Sequence, residues 1–134
     1  MRAKLGILLV GAGLMITAAP VFAHHSFAAE YDATKPVDVK GVVTKVEWTN
    51  PHARFYVDVK DEKGTVTNWN FELASPNVLS RNGWTRHSLK EGDTISVQGS
   101  KAKDGANLAN ARTVTLADGR KVFAGSATDN NEGK

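Results

Sequence analysis

VKGVVTKVEWTNPHARFYVDVKDEKGTVTNWNFEL, Val39 to Leu73, is the stretch that decides the fold. From His52 to Lys60 the odd positions Ala53, Phe55, Val57 and Val59 are apolar, and the even positions His52, Arg54, Tyr56, Asp58 and Lys60 are polar or amphipathic. That is period two, the mark of a strand with one buried face. The next run repeats it, with Thr67, Trp69, Phe71 and Leu73 against Asn68, Asn70 and Glu72. Both inward sets are odd, so paired residue numbers must sum to an even value. Pairing Asp61 with Thr65 leaves Glu62, Lys63 and Gly64 as a three-residue loop, with Gly64 at the left-handed position such a loop requires. This register sets Phe55 opposite Phe71 and Val57 opposite Trp69 inside. Outside, it sets Arg54 opposite Glu72 and Tyr56 opposite Asn70.

The preceding strand runs roughly from Val37 to Trp48. Its apolar phase is odd at Val37 and Val39 and even at Val42, Val46 and Trp48. A switch at Gly41 predicts a bulge there, bending a long strand to serve both sheets of a small closed barrel.

Further along, Ser75 to Trp84 predicts a short helix, with Ser75 as N-cap, Pro76 in first position and Gly83 just past the end. Leu89 to Asp93 is a turn. Thr94 to Ala102 is a fourth strand, Lys103-Asp104-Gly105 turns the chain, and Ala109 to Leu116 is a fifth strand. Lys121 to Phe123 is a candidate for one more short strand. The expected fold is all-β, a small five-stranded OB-like barrel with one short helix between strands 3 and 4. A small open β-sandwich is the alternative.

The amino terminus reads as a secretory signal peptide over residues 1–23. Arg2 and Lys4 are its positive region, Leu5 to Ala19 its apolar core, and Val21 and Ala23 its cleavage determinants. An uncleaved anchor is the competing reading, but the apolar core is short and Pro20 interrupts it, so no stable membrane span is expected after cleavage. Residues 24–36 form an extended leader that Phe27 and Tyr31 could pin to the barrel. The barrel domain spans 37–123, and 124–134 is a small, polar, disordered tail. Without Arg2 and Lys4 the formal net charge falls from +3 to +1, which argues against nucleic acid as a partner. The chain has no cysteine, which excludes disulfides, thiolate metal sites and a lipidated cysteine.

A resemblance spans nearly the whole mature chain. It is carried by His24 to Asp32, by Gly41-Val42-Val43 through Trp48 to His52, by Ser75-Pro76-Asn77, by Gly83-Trp84, and by Leu116 to Arg120. These segments resemble the exported bacterial domain-of-unknown-function family 6152. The resemblance implies a bacterial periplasmic protein with a small β-barrel. It implies no established activity and transfers no functional residues.

Three function classes follow. The first is a non-catalytic binding or adaptor barrel that meets an envelope protein or small ligand through Trp48, Asn50, Arg54, Tyr56 and Asn70. A plain solvated sheet face would carry the same residue types. The second is a periplasmic copper protein. Cleavage after Ala23 makes His24 the terminal residue, so its amine and ring chelate together, and a third nitrogen completes a T-shaped Cu(II) site. His25 is adjacent, and His52 opens the second strand. The bland alternative makes His24 and His25 exposed terminal residues and His52 a polar residue of the rim. Copper is the one cofactor these residues suggest. The third class is a redox enzyme on that same site. Nothing else points to catalysis: there is no Gly-x-Ser-x-Gly, His-Glu-x-x-His or phosphate loop, and Asp61 and Glu62 sit in a turn. His87, in the loop after the helix, reads as surface. Trp69 is expected in the core, while Trp48 and Trp84 could plug a barrel end.

Overall fold

The computed structural model describes residues 27–125. The expected signal peptide, His24 and His25 lie outside these residues, as does the chain from 126 onward. A single turn of helix, α1 (Phe27–Glu30), leads into β1 (Tyr31–Glu47). There follow β2 (Arg54–Lys60), β3 (Val66–Glu72), α2 (Pro76–Arg81), β4 (Thr94–Ala102), β5 (Leu108–Thr115) and β6 (Lys121–Phe123). The sheet order is β3-β2-β1-β4-β5-β6, and a parallel pairing of β3 with β5 closes the ring. This is the expected OB-like barrel, with a sixth short strand added to the five.

The β2–β3 register is the one the alternation demands. Phe55 lies opposite Phe71, Val57 opposite Trp69, Arg54 opposite Glu72 and Tyr56 opposite Asn70. Gly64 has φ +84° in the loop. The Asp61 carboxylate accepts from the amides of Lys63 and Thr65, both at 2.9 Å. Helix α2 begins as its sequence predicts, with the Ser75 hydroxyl accepting from the Val78 amide and Pro76 in the first turn.

Strand β1 departs from expectation in two respects. It begins at Tyr31, inside the expected leader. The phase change also falls later than Gly41. Pairing with β2 slips between Val43 and Lys45, so the odd phase holds through Val43, which is 1% exposed, while Val42 is 42% exposed. Gly41 is needed for closeness rather than for a bulge. A Cβ there would stand 2.3 Å from the Asp58 carbonyl oxygen and 2.6 Å from a Val57 methyl. Both neighbours belong to β2, where β1 crosses between the two halves of the barrel. Gly41→Ala is therefore expected to cost about 1–3 kcal/mol as overpacking, read as a lower urea midpoint with an unchanged slope.

The core holds Phe55, Phe71, Val43, Val57, Leu73, Leu79, Ile95, Val97 and Val114. Trp84 closes one end of the barrel, fully packed, and its indole N–H donates to the Phe123 carbonyl at 2.7 Å. Trp48 packs beside it at that end. Trp69 differs from the expected core role, being only partly buried. Its ring stacks on Phe71 at 6.0 Å and carries the Lys101 ammonium 5.9 Å from its centre. Val66 to Trp69 begin before the β3–β5 pairing at Asn70, so the indole lies beyond the closed part of the barrel. Ala124, expected in the tail, is buried and bonded to both Arg112 and Ala74.

Candidate functional site

Alternation turns the even residues of β2 and β3 outward, and the register sets them side by side. Arg54 donates from one Nη to Glu72 Oε2 and from the other to Asn70 Oδ1 at 3.5 Å. Asn68 donates from Nδ2 to Asp58 Oδ1 at 2.7 Å and to Thr44 Oγ1 at 3.2 Å. The Lys45 ammonium sits 5.3 Å from the centre of the Tyr56 ring and 2.6 Å from the Glu47 carboxylate. The hydrogen bond that Lys45 donates to the Glu47 carboxylate holds its amine above its ordinary range. The face is thus a polar ladder whose members fix one another.

One end of this face is covered. Glu72 pairs with Asn110 across the closure, and Asn110 pairs with Ser100. Paired residues share a face, so the three form a row across β3, β5 and β4 on the outside of the barrel. They are the buried polar residues among those described, and Glu72 is 8% exposed. The leader covers the Glu72 end of the row. Tyr31 pairs with Ala102, two residues beyond Ser100 on the same face, and is 2% exposed. Its ring meets that of Phe27 at 5.6 Å. Burial is the main reason its hydroxyl is held far above the ordinary tyrosine range, and the Glu72 carboxylate is the next. That hydroxyl is buried yet has no hydrogen-bond partner of normal geometry. Such an orphan group costs about 1–3 kcal/mol.

His52 lies at the same end. Its Nδ1 is 3.0 Å from the Leu73 carbonyl oxygen and 3.9 Å from Glu72 Oε1. A carbonyl can only accept, so Nδ1 donates a ring proton in this bond. Among the described residues no three of the types His, Cys, Asp or Glu converge as a metal-holding group. A copper site with His52 would therefore draw on His24 or His25, outside the described residues.

The expected ligand-contacting residues divide. Arg54, Tyr56 and Asn70 stand together on the outward face. Trp48 packs at the barrel end beside Trp84, and Asn50 is exposed in the β1–β2 connection. Glu72 is visible in the sequence as the partner of Arg54, but its burial is not. Asn110 and Ser100 carry no signal in the sequence, because a polar residue at an outward position ordinarily marks solvent.

A family model described as a family of unknown function, DUF6152, matches residues 12–111. No curated protein matches the chain in sequence. Part of the chain is similar to two solved structures. One is the mitochondrial single-stranded DNA binding protein Rim1 from S. cerevisiae, with TM-score 0.48 and 8% identity, covering 61% of this chain and 92% of that one. The other is a ZRD-deleted mutant of TiaS in complex with agmatine, with TM-score 0.45 and 22% identity, covering 60% of this chain and 21% of that one. No helix among the described residues is long and apolar enough to cross a membrane.

Proposed function

The chain belongs to the family of unknown function DUF6152, and we propose that it serves as a non-catalytic binding or adaptor module of the bacterial periplasm. Its binding surface is the outward face of β2 and β3. One observation carries this reading: the side chains of that face are held in place by one another on a closed barrel. Arg54 is fixed by Glu72, Asn68 by Asp58 and Thr44, and Tyr56 by Lys45. Side chains already ordered lose little entropy when a partner arrives. The partner is an envelope protein or small polar ligand that meets Arg54, Tyr56 and Asn70.

The test is an NMR titration of the full mature protein with fractions of periplasmic extract. Shifts are expected to cluster at Tyr56, Asn68 and Asn70. They are expected to vanish in a Tyr56→Ala, Asn70→Ala variant, each substitution of a half-buried outward residue costing about 1 kcal/mol or less. Shifts confined to the opposite end, around Thr85 and Arg120, would overturn the reading. Export has its own check: the intact mass of periplasmic protein is expected to begin at His24.

A second reading is favoured by the geometry of His52. A ring whose Nδ1–H is held by a backbone carbonyl is oriented as metal-ligating histidines are, and Leu73 supplies that carbonyl. In this reading the His24 amine, the His24 ring and the His52 ring hold Cu(II), with His25 next in sequence. The His24 nitrogens must be neutral to ligate, so affinity falls as pH drops through the ordinary ranges of an α-amine and a histidine ring, about 8 and about 6.5. Correctly processed protein is expected to bind Cu(II) more than tenfold more tightly than protein with one added residue before His24. Equal binding by calorimetry would remove the terminal chelate.

A further inference from the structure

We propose that Phe27 to Asp32 form a strap that opens about a hinge at residues 33–35 and gates the polar row Glu72, Asn110 and Ser100. This deepens the binding-face reading and rests on it, because the row continues the Arg54 end of that face.

Three observations carry the strap. The first is its attachment. β1 pairs with β4 continuously from Pro36 to Val42, but the strap holds β4 through only Tyr31 with Ala102 and Asp32 with Lys101. Between Asp32 and Pro36 the pairing slips, and Ala33, Thr34 and Lys35 stand exposed. The remaining hydrogen bonds to the barrel are few: the Lys103 amide to the Glu30 carbonyl at 2.9 Å and the Lys103 ammonium to the Ala28 carbonyl, while the Phe27–Tyr31 ring contact is internal to the strap.

The second is what the strap covers. The described part of the barrel buries its polar residues only in this one row, on a face that would otherwise be solvated. Burying a polar row on an outer face gains less than burying an apolar one.

The third is the Tyr31 hydroxyl. It is enclosed over the Glu72 carboxylate without a hydrogen bond of normal geometry, while in the open state water satisfies it. The closed state is therefore penalised at its central contact, which keeps the open state within reach. When the strap lifts, Glu72, Asn110, Ser100 and the edge of β4 at Lys101 and Ala102 become available to a partner. The fit is to an extended polar segment that pairs with the edge as the strap does.

The experiment is hydrogen exchange of the full mature chain, read at the peptides covering 27–32 and at the Lys103 amide, which the strap protects. Tyr31→Phe removes the orphan hydroxyl and keeps the ring, so exchange is expected to slow several-fold. Tyr31→Ala is expected to speed it more than tenfold while β2 stays unchanged. The chain has no cysteine, so Asp32→Cys with Lys101→Cys gives a single closing disulfide across the pair. Oxidation is expected to slow exchange at Lys103 more than tenfold, and reduction to restore it. Faster exchange in Tyr31→Phe would mean the hydroxyl is bound and the strap is a fixed part of the fold. So would identical exchange in the oxidised and reduced forms. Either result overturns the strap and leaves the binding-face titration untouched, whereas a failed titration with a moving strap removes only the binding face.

Discussion

Phe71→Ala is expected to cost about 3–5 kcal/mol, the largest loss of any single truncation on β2 or β3. Phe71 is wholly buried, stacks on Phe55 at 5.2 Å, and pairs with Ala109 where β3 meets β5. It therefore fills the core at the seam that closes the barrel. Removing the ring opens a cavity between three strands that cannot collapse without breaking the closure. A domain of this size has a net stability of about 5–15 kcal/mol, so the variant sits near its limit, with no disulfide to hold it. Trp69→Ala, by contrast, is expected to cost about half as much or less, because part of the indole already faces water. Alternation alone gives both residues the same inward position. Urea titration of the two variants decides the order, and a larger loss at Trp69 would mean that the mouth of the barrel is closed.

Arg54→Ala is expected to cost about 3 kcal/mol, well above the 1 kcal/mol or less of an exposed ion pair. The pair looks exposed in the sequence, since both residues lie on the outward phase. In the fold the Arg54 side chain is 30% exposed but that of Glu72 only 10%. Truncating the arginine leaves a carboxylate enclosed beneath Tyr31 without its counter-charge. Most of the cost is the stranded charge rather than the lost attraction, and this makes a specific prediction for the double variant. Arg54→Met with Glu72→Leu removes both charges and replaces them with apolar bulk, so it is expected to be more stable than Arg54→Ala alone. If the double variant is the less stable of the two, the Glu72 carboxylate is better solvated than its burial indicates. Glu72→Leu alone is expected to be milder than Arg54→Ala, because the freed guanidinium can turn to water.

Local sequence determined much of this barrel. Period two in Ala53 to Val59 and Thr67 to Leu73 fixes which side chains point inward, and the parity of the two runs with Gly64 fixes their register. Ser75, Pro76 and Gly83 fix where α2 begins and ends. These are properties of a few neighbouring residues, since strand pleat, turn dihedrals and helix caps are satisfied within a single element. Tertiary structure alone decided how deeply each position is buried. Trp69 and Phe71 share a phase but not an environment, because the strand outruns its partner. The phase change belongs to Thr44 rather than Gly41, because the glycine is required by the approach of Asp58 and not by its own strand. Glu72, Asn110 and Ser100 read as solvated polar residues, and Tyr31 as one aromatic in a leader without period. The burial of Glu72 together with Tyr31 arises only when that leader, remote in sequence, returns over β4. No local pattern records which distant segment will cover a face, so the covered row exists only in the folded chain.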